Sequence, residues 1–190
     1  MSIQIIPATR DDVPELLGLI RELAIYEKAE HEVKATPELM TKAVFDDKYA
    51  ECLIARKLPK DGAAGKGEAI GMALYFFTYS TWLAAPGLYL EDLYVKPSER
   101  NLGLGKRLFG ELGVIAKEKG CQRMEWRVLK AGFHCSSPKS VRADQRVQWN
   151  EPSIAFYTQC LKADPQSEWE GMRIEGDEKI QKLIDDFQKP

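Results

Sequence analysis

Glycines and basic residues stand together at the opening of an apolar-periodic run, in the segment ERNLGLGKRLFGELG, residues 99–113. Glycine weakens a helix interior by about 0.5–1 kcal/mol relative to alanine, so Gly103 and Gly105 are costly where a helix begins. A helix N-terminus offers unpaired backbone N–H groups and a positive dipole end, which favour phosphate, and Arg100 and Lys106 add charge. The segment predicts a phosphate site, although an ordinary strand–turn–helix corner with a solvated basic edge fits the glycine spacing equally well.

Two other phosphate-binding motifs do not fit this segment. A Walker A loop requires GxxxxGK[ST], but the first glycine position is Arg100, and Gly105-Lys106 is followed by Arg107. The dinucleotide fingerprint GxGxxG is broken by Leu108. Both motifs are therefore excluded.

The remaining pattern, Arg-x-x-Gly-x-Gly at Arg100, Gly103 and Gly105, resembles the acyl-CoA-binding motif of the GNAT superfamily of N-acetyltransferases. Further segments resemble its diamine/polyamine N-acetyltransferases, of the spermidine/spermine and thialysine types: YFFTYSTW, LYLEDLYV, WNEPSIAFY and the first-helix segment PATRDDVPELLGLIRELAIYEKAE. The resemblance covers nearly the whole chain. It implies an α/β (α+β) GNAT fold with a central mixed, mostly antiparallel sheet flanked by helices, whose splayed strands 4 and 5 hold acetyl-CoA.

The resemblance implies two catalytic residues. An amine attacks a thioester only when neutral, whereas alkylammonium groups have pKa values near ~10, so the reaction needs a proton acceptor and a proton donor for the departing thiolate. Glu91, in YLED, matches the family's general base, and Tyr157, in SIAFY, matches its general acid. Without the resemblance, an exposed acid at a strand end and an aromatic residue on a helix core face fit these positions better.

The resemblance also implies binding residues for the coenzyme and the amine. For acetyl-CoA these are the strand that follows the base, the glycine turn and a second stretch before the general acid: Leu93, Tyr94, Val95, Arg100, Asn101, Leu102, Gly103, Leu104, Gly105, Lys106, Asn150, Glu151, Pro152 and Ser153. For the amine they are Tyr26, Glu27, Glu91, Glu125, Trp126, Arg127 and Glu170. Each acid alone is more typical of a solvated surface charge.

Three features depart from the family pattern. The segment 130–148 intervenes where the family passes almost directly from the fifth strand to WNEPS, and a surface excursion or retained intron sequence is favoured over a lid. Thr158, Gln159 and Cys160 replace residues that tend to be basic. Arg127 stands at a position that is commonly apolar in the family, which favours a substrate with its own carboxylate. Thialysine is therefore a candidate substrate together with the polyamines.

Hydrophobic periodicity predicts the elements that must hold these residues. The predicted strands are IQIIPA, AECLIARKL, AIGMALYFFTYS, LYLEDLYVKP, CQRMEWRVL and one around GMRIE. Helices are predicted after Thr9, after Thr36, from the glycine turn to about Lys119, from Pro152, and over DEKIQKLIDDFQ. The uncharged run Ala69–Leu90 approaches the ~20 residues of a membrane helix, but its central polar residues and Pro86-Gly87 predict two strands and a turn.

Composition bounds the remaining possibilities. The 190 residues suit a single domain, 1–190, and 44% hydrophobic with 29% charged residues is ordinary for a globular protein. A net charge of -2 does not favour nucleic acid or an anionic membrane as a partner. Four cysteines without a CxxC pair, two histidines and an N-terminus without a secretory pattern predict free thiols, no metal site and a cytoplasmic location.

The resemblance implies an enzyme that transfers acetyl from acetyl-CoA to a primary amine of a small polyamine, diamine or lysine-like amino acid. Transfer is expected to be direct, in a ternary complex, since no cysteine adjoins a recognised base. A homodimer is expected from the resemblance alone. The alternatives are acetylation of a protein lysine or N-terminus and a catalytically silent acyl-CoA-binding module.

Overall fold

The computed structural model describes residues 2–59, 65–129 and 150–187. The chain divides into two units, Met1–Leu129 and Lys130–Pro190, each of which is described by itself. The single domain over 1–190 therefore stays a prediction. The insertion predicted at 130–148 lies outside the described residues.

The first unit is built from one sheet and three α-helices among its described residues. In chain order the elements are β1 (Ile3–Pro7), α1 (Val13–Tyr26), α2 (Pro37–Met40), β2 (Glu51–Lys57), β3 (Glu68–Ser80), β4 (Ala85–Val95), α3 (Leu104–Glu118) and β5 (Arg123–Trp126). The predicted second helix is α-helical only to Met40 and continues as a π-helix over Thr41–Asp46. The uncharged run forms β3 and β4, as predicted, and no helix of the described chain is long and apolar enough to cross a membrane.

The sheet has the order β1-β2-β3-β4-β5. All neighbours are antiparallel except β4 and β5, which run parallel from Gly87–Arg123 to Leu90–Trp126. The helix α3 connects these two strands, as a parallel pair requires. The mixed, mostly antiparallel sheet confirms the predicted fold class.

A β-bulge at Glu91 divides β4 into two parts. Leu74 of β3 faces Asp92, whereas the next residue, Tyr75, faces Leu90, so Glu91 is the extra residue on β4. Since side chains alternate between the faces of a sheet, one extra residue reverses the phase of all that follow. The pairing of β4 with β5 ends at Leu90, immediately before the bulge. The predicted strand CQRMEWRVL is shorter than expected, because its pairing with β4 ends at Trp126.

The two faces of the sheet carry separate apolar clusters. On the face covered by α3, the buried Leu88 and Leu90 pack with Leu108, and Leu93 joins them from beyond the bulge. On the face covered by α1, the buried Tyr94 lies in the second cluster, whose other buried members are Val13, Leu16, Leu17, Leu19, Met40, Cys52, Ile54, Ala69 and Met72. The bulge thus places Tyr94, and with it Asp92, on the α1 face.

Polar contacts fix α1 on the sheet. The N–H and the hydroxyl of Thr9 both donate to Asp12 Oδ2 at 2.9 Å, as the predicted cap requires, although a 3-10 turn precedes α1. Arg56 of β2, only 2% exposed, donates to Asp12 Oδ1 at 2.5 Å and to Glu15 Oε2 at 2.7 Å. Burial alone would raise the pKa of Asp12, but hydrogen bonds from Thr9 and Lys66 and the Arg56 charge lower it to about 2. Both partners of the buried pair are therefore charged at neutral pH.

The second unit contains α4 (Glu151–Ala155), a π-helical turn over Phe156–Cys160 and α5 (Asp177–Phe187). The prediction of a strand around GMRIE is wrong, because residues 171–175 form no regular element. A strand exists only when it pairs with another, and no strand is present among the described residues of this unit.

Candidate active site

The glycine turn forms an open N-terminus for α3. Asn101 and Gly103 adopt the left-handed conformation, with φ of 64° and 79°. The N–H of Arg107 donates to the carbonyl of Gly103 at 3.1 Å, the first such bond of the helix, so the amides of Leu104 to Lys106 precede the helical ladder. In the described part of the chain, no atom other than those of the adjoining residues lies within 4 Å of where a Cβ on Gly103 would stand. The turn can therefore receive an anion on its backbone amides.

Arg100 lies between this turn and the end of α1. Its Nε donates to the carbonyl of Val95 at 3.0 Å, and its guanidinium lies 4.7 Å from the centre of the Tyr26 ring and 5.8 Å from that of Tyr94. Tyr94 in turn donates to Glu22 of α1 at 3.1 Å. The predicted coenzyme residue Arg100 thus contacts the predicted amine residue Tyr26.

The second half of β4 forms one wall of an opening in the sheet. Within the part of the chain that is described, no strand pairs with β4 beyond Leu90 on the β5 side. Leu93 and Val95 pack against the α3 cluster, and Leu104 is buried in that cluster. The main chain of Leu93 to Val95 therefore runs from the bulge towards the open end of α3, as the resemblance implies for a strand that binds an extended coenzyme arm.

Carboxylates gather at the bulge. Burial, together with the charges of Glu91 and Glu27, raises the pKa of Asp92 to about 6. Burial also raises the pKa of Glu27, which follows the last residue of α1. Glu91 itself is exposed. These three side chains form a negative centre on the α1 side of the opening, and we refer to Glu27, Glu91 and Asp92 as the acid cluster.

Cys52 lies near the acid cluster but is not a nucleophile at neutral pH. It faces Leu74 on β3, which faces Asp92 on β4. Burial, reinforced by the charge of Asp92, raises the pKa of the Cys52 thiol to about 12. Burial also raises the pKa of Cys121. In the described chain, no three His, Cys, Asp or Glu side chains are close enough to hold a metal ion.

The predicted amine residues of β5 fall on opposite faces of the sheet. Glu125 faces Tyr89 of β4, on the side of the acid cluster, and accepts an ion pair from Arg123 at 2.8 Å. Trp126 packs against the α3 cluster, with its ring 5.1 Å from that of Phe109. Glu125 is thus on the acid-cluster side, whereas Trp126 is on the other.

The remaining predicted residues belong to the second unit. Asn150 is buried, and its carbonyl accepts from the N–H groups of Ser153 and Ile154 at the start of α4. The Tyr157 ring packs edge-on against Phe156, with centres 5.4 Å apart, and Glu170 is exposed. Their approach to the acid cluster stays a prediction.

Sequence reasoning missed Asp92 and Tyr89. A signal for Asp92 is present in LYLEDLYV, where the apolar positions Leu88 and Leu90 are followed by Leu93 and Val95, a shift of one residue that marks a bulge. Tyr89 has no comparable signal, because an aromatic residue inside a strand is ordinary.

Comparisons with known proteins agree with this geometry. The model of the acetyltransferase (GNAT) family matches residues 20–136. Thialysine N-epsilon-acetyltransferase of Sus scrofa is 32% identical over 180 residues, covering 93% of this chain and 94% of the relative. Spermidine/spermine N(1)-acetyltransferase-like protein 1 of Homo sapiens is 33% identical over 178 residues, covering 92% of this chain and 23% of the relative.

A solved structure shows the same fold. The crystal structure of a Trypanosoma brucei acetyltransferase superposes with a TM-score of 0.62 at 21% identity, covering 92% of this chain and 99% of that one. The parallel β4–β5 pair that parts at the bulge matches the splayed strands expected of the family. This protein is therefore an N-acetyltransferase that belongs to the GNAT family.

Proposed function

We propose that the protein transfers the acetyl group of acetyl-CoA to a primary amine of a small polyamine, a diamine or a lysine-like amino acid such as thialysine. The observation that carries this proposal is the acid cluster, which lies where β4 and β5 part. Two of its members, Glu27 and Asp92, are desolvated enough to have raised pKa values. Partly buried negative charge of this kind is stabilised by a cationic ligand.

The residues around α3 fit the coenzyme. The pyrophosphate would lie on the backbone amides from Asn101 to Lys106, where Gly103 leaves the approach open. The pantetheine arm would follow the main chain of Leu93 to Val95. Asn150, Glu151, Pro152 and Ser153 would add contacts from the second unit, as the resemblance implies.

The reaction is balanced by three proton transfers. The substrate ammonium binds at the acid cluster and gives one proton to Glu91, directly or through water. The neutral nitrogen then forms the N–C bond as the C–S bond breaks, while main-chain N–H groups of β4 polarise the carbonyl oxygen. Tyr157 gives its proton to the departing sulfur, and the acetylated nitrogen returns a proton to the Tyr157 phenolate, directly or through water. The raised pKa of Cys52 supports direct transfer in a ternary complex rather than an acetyl-cysteine.

The named relatives support a small amine. One is named for thialysine and another for spermidine/spermine, and a third, from Arabidopsis thaliana, is named L-ornithine N5-acetyltransferase. A homodimer and a cytoplasmic location belong to the same proposal; the homodimer rests on the family resemblance, and the location rests on the free cysteines and the N-terminal pattern.

Steady-state assays with acetyl-CoA test the proposal. We expect turnover with at least one of thialysine, spermidine, spermine and putrescine, and a lower kcat/KM with a basic peptide. Tyr157→Phe should lower kcat by about 10²-fold or more and leave the calorimetric affinity for the coenzyme unchanged. Coenzyme binding without turnover on any amine would favour a silent module, and an equal kcat for Tyr157→Phe would remove its role.

A further inference from the structure

Side chains of β3, β4 and β5 form successive rows on the face that carries the acid cluster. Phe76, Tyr89 and Glu125 share one row, in which the Phe76 and Tyr89 rings stack with centres 4.9 Å apart. In the row before it, Arg123 lies over Gly87, since a Cβ there would be 3.2 Å from Arg123 Cγ. The aromatic row therefore lies two residues before the bulge at Glu91, and charged groups lie on its β5 side.

Arg127 follows the last paired residue of β5, beside the opening. It is exposed, and within residues 2–59, 65–129 and 150–187 no ion pair or side-chain hydrogen bond involves it. Glu125, two residues earlier, already pairs with Arg123 at 2.8 Å. Among the described residues, the guanidinium of Arg127 thus has no counter-ion, at the edge of an acidic site.

The charges of Arg127 and of Glu91, one member of the acid cluster, both act on the Tyr89 phenol. Burial raises the pKa of the Tyr89 phenol, the charge of Arg127 opposes that shift, and the charges of Glu91 and Glu125 add to it. The Tyr89 phenol therefore lies close to the positive charge of Arg127 and to the negative charges of Glu91 and Glu125. A ligand that touches Tyr89 would meet both signs of charge.

A ligand with only positive charges does not match this arrangement. A polyamine or diamine would gain from the acid cluster but would be repelled by Arg127. An amino acid with a terminal amine carries a carboxylate at its other end, and a guanidinium binds carboxylates through paired, charge-assisted hydrogen bonds.

We propose that Arg127 is a specificity-determining residue that binds the carboxylate of an amino-acid substrate, while the acid cluster holds the terminal ammonium group that is acetylated. This inference rests on the proposed function and selects one substrate class within it. The stacked Tyr89 and Phe76 rings would line the path between the two charged ends.

The test uses pairs of amines that differ by one carboxylate: lysine with cadaverine, and thialysine with its decarboxylated analogue. The wild-type enzyme should have a higher kcat/KM for the amino acid of each pair. Arg127→Gln should lower kcat/KM for the amino acids by at least about tenfold, mainly through KM, and leave the diamines unchanged or improved. Arg127→Glu should reverse the preference.

A matched control removes one exposed arginine from α1. Arg21→Gln takes away the same charge and should leave both members of each pair unchanged. A wild-type preference for the diamines, or an Arg127→Gln enzyme with the wild-type ratio of amino acid to diamine, would overturn the inference and leave the proposed function standing. Failure of the wild-type enzyme to acetylate these amines and also spermidine, spermine and putrescine would instead remove the proposed function.

Discussion

The guanidinium of Arg100 lies 4.7 Å from the centre of the Tyr26 ring and so joins the glycine turn before α3 to the end of α1. The same group holds the carbonyl of Val95 at 3.0 Å and lies 5.8 Å from the centre of the Tyr94 ring. The region expected to bind the coenzyme and the region expected to bind the amine therefore share one side chain.

Arg100→Lys should weaken both regions together, because lysine lacks the planar group that stacks on two rings and binds the carbonyl. We expect the free energy of unfolding to fall by about 1–2 kcal/mol in urea titrations. The KM for the amine and the calorimetric Kd for the coenzyme should both rise several-fold. Arg107→Lys is the control, since the Arg107 side chain donates to the carbonyl of Ile3 at the exposed side of α3. Equal behaviour of the two variants would contradict the link.

Gly103→Ala should damage the glycine turn through its backbone. At a φ of 79° a side chain costs about 1–2 kcal/mol, and the added methyl group would enter the open approach to the amides. We expect the Kd for the coenzyme to rise by about fivefold or more, measured by calorimetry. The matched controls are Gly110→Ala and Gly113→Ala, which lie inside α3 with open space around the new Cβ. Each should instead stabilise the protein by about 0.5–1 kcal/mol.

Asp92→Asn should stabilise the protein above pH 6. The folded-state pKa of about 6 exceeds the ordinary value of 3.8, so the native state binds more protons than the unfolded state between these two values. The free energy of unfolding therefore falls as the pH rises through this window, by about 1–3 kcal/mol. Asparagine removes that cost, so the Tm should rise at pH 7.5 and match the wild-type Tm near pH 4. Glu111→Gln, on the exposed side of α3, is the control and should show no such pH dependence. A Tm gain that is equal at both pH values would contradict this origin.

The amine affinity should depend on the same carboxyl group. Protonation of Asp92 below about pH 6 removes one negative charge from the acid cluster, so the KM for the amine should rise as the pH falls through 6. The KM for acetyl-CoA should not follow. Initial-rate measurements between pH 5 and pH 8, with each substrate varied in turn, check both statements. An Asp92→Asn enzyme that keeps the wild-type slope would assign the effect to another group.

The elements of the first unit could be predicted from the sequence because local signals there agree with the fold. Thr9 and Asp12 form the expected cap, Thr36 accepts from the N–H of Leu39 at 3.3 Å, and the glycine turn opens α3. The strand predicted around GMRIE does not form, so local signals were not sufficient there. An apolar alternation shows which residues could pair in a sheet, but it does not show whether a partner is within reach.

The candidate site was only partly predictable for the same reason. The resemblance indicates Glu91. The role of Asp92 depends on which face of β4 its side chain occupies, and a bulge changes that face without changing the composition of the strand. Trp126 packs on Phe109, because its register with Leu90 places it on the α3 face, and its contact with the amine stays a prediction. Contacts of this kind depend on strand register, which residue types alone do not determine.

The extra residue on β4 makes chain length, rather than residue identity, the critical variable at this point of the gene. Removing the Glu91 codon would restore regular alternation and leave Asp92 and Tyr94 on the α1 face and Leu93 and Val95 on the α3 face, but it would remove the bulge at which the pairing of β4 with β5 ends. Homologues should therefore accept a different acid at the positions of Glu91 and Asp92 far more readily than they accept a strand that is one residue shorter.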